Sequence, residues 1–304
     1  MPEQVRILLT THNGLGFLRE QLQSIDAQTW PEIRVTVRDD GSTDETNELL
    51  EKWALGKPHV RLLRGSRLGV TKNFLTLLAH ADGDSDYFAF SDQDDVWLPD
   101  KMERAVLCLR GCDQDRPAMY CARLEYVDEN LNHLGYTNVP KRVGFANAVV
   151  ENVATGCTMV LNRSARELVC EKLPEKALIH DWWCYLVVSA FGRVIYDERT
   201  SIRYRQHANN VTGGTPSPLE LFGRRFRRFL SHEKGRPLVS DQAAEFKRCF
   251  GDRLSVHDRE TLERFLCVRG GLKERIFYNA AMDVWRQSWV DTMILRAMIL
   301  VGRA

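Results

Sequence analysis

Ile33-Arg34-Val35-Thr36-Val37-Arg38-Asp39-Asp40-Gly41-Ser42-Thr43 runs from a β-branched apolar segment straight into two carboxylates and a turn. A short run of this kind, closed by Asp, Gly and Ser, reads as a buried strand ending in a polar turn. Ser42 or Thr43 is placed to cap a following helix, with acids in its first turn. The same grammar recurs on both sides. Upstream, Val5–Leu9 is a buried strand, Thr10-Thr11-His12-Asn13-Gly14 a polar turn, and Phe17, Leu18, Leu22 and Ile25 recur at helical spacing. Downstream, Val60–Leu63 is a third strand and Phe74–Leu78 lies in a third helix. Tyr87–Phe90 is a fourth strand, running into Ser91-Asp92-Gln93-Asp94-Asp95, and Pro99 opens the next helix.

Strands alternating with helices build βαβ units, so the expected class is α/β with a mostly parallel central sheet flanked by helices. In such sheets ligands bind beyond the carboxyl ends of the strands, and the acid-rich turns fall at those ends. From about Pro117 the pattern changes. Apolar strands at Met119–Leu124 and Cys157–Leu161 mix with loops and short helices, and Val194–Tyr196 with Ser201–Tyr204 reads as a closing pair of strands. Ala208–Pro218, rich in Asn, Gly, Thr and Pro, reads as a loop or linker, and residues 219–304 as mostly helical. The expected division is therefore an α/β domain over 1–212 and a helical C-terminal region over 213–304.

Composition narrows the function classes. The 304 residues carry 42 basic and 41 acidic side chains, a balance with no global drive towards nucleic acid. The charge is nonetheless uneven: residues 219–304 hold 17 basic and 11 acidic groups, a net of +6, and the remainder a net of −5. Eight scattered cysteines without CxxC spacing suit reduced thiols in a cytoplasmic protein. The N-terminus shows no signal-peptide pattern, and no apolar run reaches the ~18 residues that a spanning helix needs.

Four clusters carry the chemistry, and each has a plainer structural reading. Asp39-Asp40-Gly41-Ser42 can accept hydrogen bonds from a nucleobase or ribose, or simply form a turn that caps a helix. In Asp92-Gln93-Asp94-Asp95 three crowded carboxylates resist joint ionisation, a conflict that a divalent cation relieves; the alternative is an acidic surface loop. His180-Asp181-Trp182-Trp183 sets an acid beside two indoles, either a base with an apolar platform or a helix start with core tryptophans. In Tyr204-Arg205-Gln206-His207 the histidine can ligate a metal and Arg205 can meet a phosphate, although a lone histidine is more often structural.

In this order the clusters resemble the family 2 glycosyltransferases of GT-A (Rossmann-like) fold. Leu8–Gly14 and Arg38–Asp44 are similar to that family's nucleotide-binding strands and turns. Phe90–Trp97, His180–Trp183 and Tyr204–His207 resemble its bacterial rhamnosyltransferase-like branch, and the likeness covers about residues 4–212. The resemblance implies that Asp40 holds the nucleotide base, with Thr10 and His12 beside it, and that Asp92 faces the ribose or the metal shell. It further implies that Asp94 and His207 bind Mg²⁺ or Mn²⁺ bridging the donor diphosphate, and that Asp181 is the catalytic base. Trp182 and Trp183 would form the acceptor or sugar platform and Arg205 would contact phosphate. The expected donor is a nucleotide-diphosphate sugar, with dTDP-rhamnose indicated by the branch. The expected acceptor is a glycan or lipid-linked hydroxyl in surface polysaccharide assembly. His180 stands where the family often has Glu, and no Gln-x-x-Arg-Trp motif of a processive synthase is present.

Two other readings compete. A sugar-nucleotide-forming nucleotidyltransferase would open with a Gly-rich basic loop, yet Thr10–Gly16 holds no Lys or Arg. A non-catalytic scaffold would have lost the acids, which are present. Lastly, residues 219–236 set Arg224, Arg225, Arg227 and Arg228 against a helical apolar stripe, so this segment is expected either to touch an anionic membrane surface or to pack on the catalytic domain.

Overall fold

The computed structural model describes residues 2–81, 83–207 and 238–302. The Ala208–Pro218 stretch and the basic segment 219–236 therefore lie outside the described residues. Among the described residues nine strands form one sheet: β1 Val5–Thr11, β2 Ile33–Asp39, β3 Val60–Arg64, β4 Tyr87–Ser91, β5 Val96–Trp97, β6 Ala118–Val127, β7 His133–Tyr136, β8 Val160–Asn162 and β9 Arg193–Arg205. The helices are α1 Leu15–Asp26, α2 Thr46–Ala54, α3 Val70–Ala79, α4 Lys101–Arg110, α5 Phe145–Ala148, α6 Arg163–Glu171 and α7 His180–Phe191. Four more follow: α8 Val239–Phe250, α9 Val256–Leu266, α10 Leu272–Ala280 and α11 Trp289–Leu300.

The sheet order is β3-β2-β1-β4-β8-β6-β9-β5, with β7 paired to β6. β1, β2, β3 and β4 run parallel, as the helical crossovers between them require. β8 is antiparallel to both β4 and β6, and β9 runs parallel to β6. β1 is buried at every position, which suits a central parallel strand covered on both faces. Val5, Ile7 and Leu9 pack with Leu18, Leu22 and Ile25 of α1 and with Val35 and Val37 of β2 in one apolar core.

Three local expectations change. The helix after β2 starts at Thr46, not beside Ser42. Ser42 Oγ instead bonds Asp39 at 2.5 Å and accepts the Asn13 N–H at 2.8 Å, while Asp44 accepts the Thr46 N–H at 3.1 Å. β8 starts at Val160 because Gly156–Thr158 forms a 3₁₀ turn, closed by Met159 N–H to Gly156 O at 2.8 Å. The closing pair of strands is a single strand of 13 residues, β9, whose register against β6 slips near Arg123. Arg104 of α4 fills that irregularity, donating to Thr200 O at 2.7 Å, Arg199 O at 3.1 Å and the Asp197 carboxylate at 2.5 Å.

Two compact units divide the chain. The first comprises Met1–Val139, Ala154–Leu173 and Ile179–His207; the second comprises Pro140–Val153, Pro174–Leu178 and Ala208–Ala304. Within the second, Phe246 of α8 packs on Phe145 of α5 and on Phe250, with ring centroids 5.5 and 5.6 Å apart. Gln242 and Glu245 of α8 accept the Leu178 and Glu175 N–H groups at 2.9 and 2.7 Å. All eight cysteines are free thiols, five of them buried. No helix among the described residues is long and apolar enough to cross a membrane.

The Arg104–Asp197 pair is testable. Burial raises the Asp197 pKa, but the Arg104 guanidinium, the Arg199 N–H and the Tyr120 hydroxyl outweigh it and leave the pKa lowered. A carboxylate whose folded pKa lies below its unfolded value of about 3.9 contributes fully above that value and loses the contribution as pH falls through the folded pKa. Asp197→Asn should cost about 3 kcal/mol near neutral pH, because it leaves Arg104 buried without its partner. The gap to wild type should narrow as pH falls below about 4. Urea unfolding across that range measures it, and a gap that stays constant with pH contradicts the assignment.

Candidate active site

β1, β2 and β4 end at one edge of the sheet, in register: Thr11 is opposite Asp39, and Leu9 opposite Ser91. The turns that follow are tied together by side chains. Asn13, with a left-handed φ of 48°, donates from its backbone to Ser42 Oγ and accepts the Thr43 N–H on its side-chain oxygen at 2.8 Å. Gly14 N–H reaches Thr46 Oγ1 at 2.9 Å. Gln93 closes the third side: its Oε1 accepts the His12 N–H at 2.8 Å and its Nε2 donates to His12 O at 3.2 Å.

The adjacent Asp39 and Asp40 have different tasks. Asp39 accepts from Thr11 Oγ1, Gly41 N, Ser42 N, Ser42 Oγ and Asn47 Nδ2, all between 2.5 and 3.3 Å. Burial alone would raise its pKa, but these donors lower it, so Asp39 is a charged turn-former. Asp40 accepts from Arg38 Nη1 at 2.6 Å and from the Leu68 and Gly69 N–H groups at 2.8 Å. A carboxylate has about four acceptor sites, so Asp40 retains room for one further donor. Thr10 is buried on β1, and His12 is half-buried at its end.

The second acid turn gathers more charge. Burial, then the Asp94 and Asp181 carboxylates, push the Asp92 pKa up to about 8. Asp95 is fully buried and likewise raised by burial, Asp94 and Asp92, and its Oδ2 has no hydrogen-bond partner among the described residues. Asp94 Oδ2 and His207 Nε2 share a hydrogen bond of 2.9 Å across 113 residues of chain. Two adjacent ligands at about 2.1 Å on an octahedral ion lie about 3 Å apart, so this pair fits Mg²⁺ or Mn²⁺. Ligand atoms of Asp92, Asp95 and Cys157 also lie within 4.8 Å of one another. The His207 ring lies tilted against Phe17 of α1, with centroids 4.8 Å apart.

Asp181 sits in the first turn of α7 and is 5% exposed. Its Oδ2 accepts the Gly156 N–H at 2.8 Å and its Oδ1 the Trp182 N–H at 2.6 Å, which fixes the carboxylate beside Asp92. A Cβ on Gly156 would lie 2.7 Å from His180 Nε2, so only glycine lets the 3₁₀ turn approach this closely. His180 is stacked on Phe74 at 4.0 Å, and burial lowers its pKa to about 3, so it is a neutral packing group.

Two expectations need correction. Trp183 is fully buried and offers no ring face to a sugar, whereas Trp182 is partly exposed and keeps the platform reading alone. Arg205 is 2% exposed, and its guanidinium is committed to the protein: to Asp94 O at 3.0 Å, to Glu129 O, to the Glu20 carboxylate and to the Phe17 ring at 4.6 Å. It holds the Asp94 backbone rather than reaching for phosphate. Gln93, Arg38 and Gly156 were missed as supports. Gln93 lies inside the quoted acid turn, but only the pairing of β1 with β4 shows which peptide it clamps.

The glycosyl transferase family 2 model matches residues 6–166. The dTDP-rhamnosyl transferase RfbG of Shigella flexneri is 29% identical over 234 residues, covering 69% of this chain and 75% of that one. An uncharacterized glycosyltransferase of Rickettsia prowazekii is 22% identical, covering 72% and 69%. Among solved structures, residues 1–349 of S. aureus TarS in complex with UDP-GlcNAc superpose with a TM-score of 0.57 at 13% identity, covering 99% of this chain and 89% of that one. A mannosyltransferase from Pyrobaculum calidifontis in complex with GDP-Man and Mn²⁺ gives 0.51 at 17% identity, covering 99% and 88%. At these identities the two structures show a shared fold.

The Gln93 clamp yields a coupled test. A Cβ on Gly14 would lie 2.3 Å from Gln93 Oε1, so Gly14→Ala must expel the amide. Gly14→Ala and Gln93→Ala should each cost about 1–2 kcal/mol. The double variant should cost little more than either alone, since both remove the same two bonds. Additive losses in chemical denaturation would show that Gly14 and Gln93 act independently.

Proposed function

The chain belongs to glycosyl transferase family 2 and has the GT-A fold, and from that premise we propose that it moves a sugar from a nucleotide-diphosphate donor to an acceptor hydroxyl with inversion. The observation that carries this reading is the convergence of Asp92, Asp94, His207 and Asp181 beyond one sheet edge. Asp40 retains one acceptor position for the imide N–H of a nucleobase, with Thr10 and His12 alongside. Asp94 and His207 would hold Mg²⁺ or Mn²⁺, which when bound neutralises charge on the diphosphate. That the Pyrobaculum neighbour binds Mn²⁺ with its nucleotide sugar supports this assignment.

Asp181 is the proposed general base. The Gly156 and Trp182 N–H groups orient its carboxylate to take the acceptor hydroxyl proton as that oxygen attacks the anomeric carbon. A single base suits a single displacement, through an oxocarbenium-like transition state. Trp182 offers a partly exposed indole face to the sugar or acceptor. The likeness to the Shigella rhamnosyl transferase supports dTDP-rhamnose as donor, a glycan or lipid-linked acceptor, and a role in cell-surface polysaccharide assembly on the cytoplasmic side.

Three measurements test the reading. Asp181→Asn keeps shape but removes the base, so transfer should fall by about 10²–10⁴-fold while donor affinity is retained; transfer near the wild-type rate would move the base elsewhere. Asp94→Ala and His207→Ala should abolish the effect of Mg²⁺ or Mn²⁺ on donor affinity, and full activity of wild type in excess EDTA overturns the metal assignment. Across a panel of nucleotide sugars, dTDP-rhamnose should raise the melting temperature most. A larger shift from a UDP- or GDP-sugar would overturn the donor assignment alone.

A further inference from the structure

The second unit carries a cleft of about 300 Å³ whose lining includes Lys141, Arg142, Trp285, Arg286 and Trp289. Among the described residues no carboxylate lines it. It is a braced structure rather than a chance gap. Gln287 accepts the Lys141 N–H at 2.8 Å and donates to Arg142 O at 2.7 Å. Glu151 receives the Gln287 N–H at 2.7 Å, and Asn147 donates to Trp285 O at 3.1 Å. The Arg142 guanidinium lies over the Trp285 ring at 3.9 Å. Lys141 and Arg142 are exposed and form no ion pair among the described residues.

The helix that leaves this cleft is apolar where it should be polar. Leu295 and Ile299 are buried, as a core-facing stripe requires. Yet Val290, Met293, Ala297 and Val301, at spacings of three and four on another face, are exposed, and Trp289 at the cleft mouth is 73% exposed. The apolar surface continues on α10, which is bound to α11 by Arg296 Nη1 to Asn279 O at 2.8 Å and which exposes Leu272, Ile276 and Phe277. A helix apolar on two faces is normally covered on both.

We infer that this face docks on an anionic lipid leaflet, with a headgroup phosphate in the cleft and the α11 stripe in the acyl boundary. The chemistry is matched at each level. Lys and Arg attract anionic headgroups, Trp concentrates at membrane–water interfaces, and the apolar stripe removes its surface from water. At 12 residues α11 is about 18 Å long, too short to cross a hydrocarbon core of about 30 Å but suited to lie along it. A second copy of the chain matches less well, because it would bring the same cations to the same cleft. None of the residues named here belongs to the segment 219–236, and the inference does not depend on the proposed donor or base.

The test uses the full chain sedimented with vesicles of phosphatidylcholine alone or mixed equally with phosphatidylglycerol. Wild type should pellet only with the anionic vesicles, less at high salt, and its tryptophan emission should shift to the blue. Each basic residue near an anionic surface strengthens binding roughly fivefold. Lys141→Glu with Arg142→Glu should therefore weaken binding by at least about tenfold. Val290→Asp with Met293→Asp, on an exposed face, should weaken it comparably while circular dichroism and donor hydrolysis stay unchanged. The inference is overturned if wild type remains in the supernatant with both vesicles. It is equally overturned if both variants bind as wild type does and only alanines at Arg224, Arg225, Arg227 and Arg228 abolish binding. A dimer in light scattering that Val290→Asp with Met293→Asp dissociates would assign the face to a second copy and overturn it too.

Discussion

Asp92, Asp94, Asp95 and Asp181 are held close enough that burial and mutual repulsion raise Asp92 to about 8 and drive Asp95 well above the usual carboxylate range. Much of the first unit is arranged to carry that charge. Arg205 runs beneath the turn and grips the Asp94 carbonyl, and its own N–H donates to Asp95 at 3.2 Å. Lys101 lies buried over Trp97 at 3.7 Å, and burial depresses its pKa to about 7 against the opposing pull of Cys157 and Asp95. Strain of this kind persists only where the surrounding fold over-determines it, and it concentrates at functional sites.

The acids at the end of β2 form a useful contrast. Asp39 and Asp40 are also buried, yet both have lowered pKa values because N–H, hydroxyl and guanidinium donors more than offset desolvation. One sheet edge thus holds two kinds of carboxylate: satisfied ones that shape turns and grip loops, and crowded ones short of donors. The metal site proposed above draws on the second kind, whose crowding a cation or a proton would relieve.

The second unit follows other rules. Its core is aromatic and its helices are braced by single amide and carboxylate contacts such as Gln242 and Glu245. On α10 and α11 the apolar residues outnumber the buried positions available to them. That excess, beside a cation-lined cleft, is a property of the surface and is invisible to any count of total charge or hydropathy.

Much of the scaffold is determined by short-range pattern. β1 to β4 appear within two residues of where their apolar runs stand, because a short apolar run closed by polar turn residues allows little else. The acids at the strand ends are legible for the same reason, as is Asp181 at the start of a helix. Tertiary structure alone decides the rest. The order β3-β2-β1-β4-β8-β6-β9-β5 depends on crossovers and pairing that no local window contains. Asp94 and His207, 113 residues apart, meet only because β9 returns along β6 to the turn after β4. Trp183 is buried and Trp182 is not, since the phase of α7 against its neighbours separates two identical side chains. Arg205 reads equally well as a phosphate ligand or a strut until its partners are known. Residue type and spacing limit what a group can do; burial and long-range contact select which of those things it does.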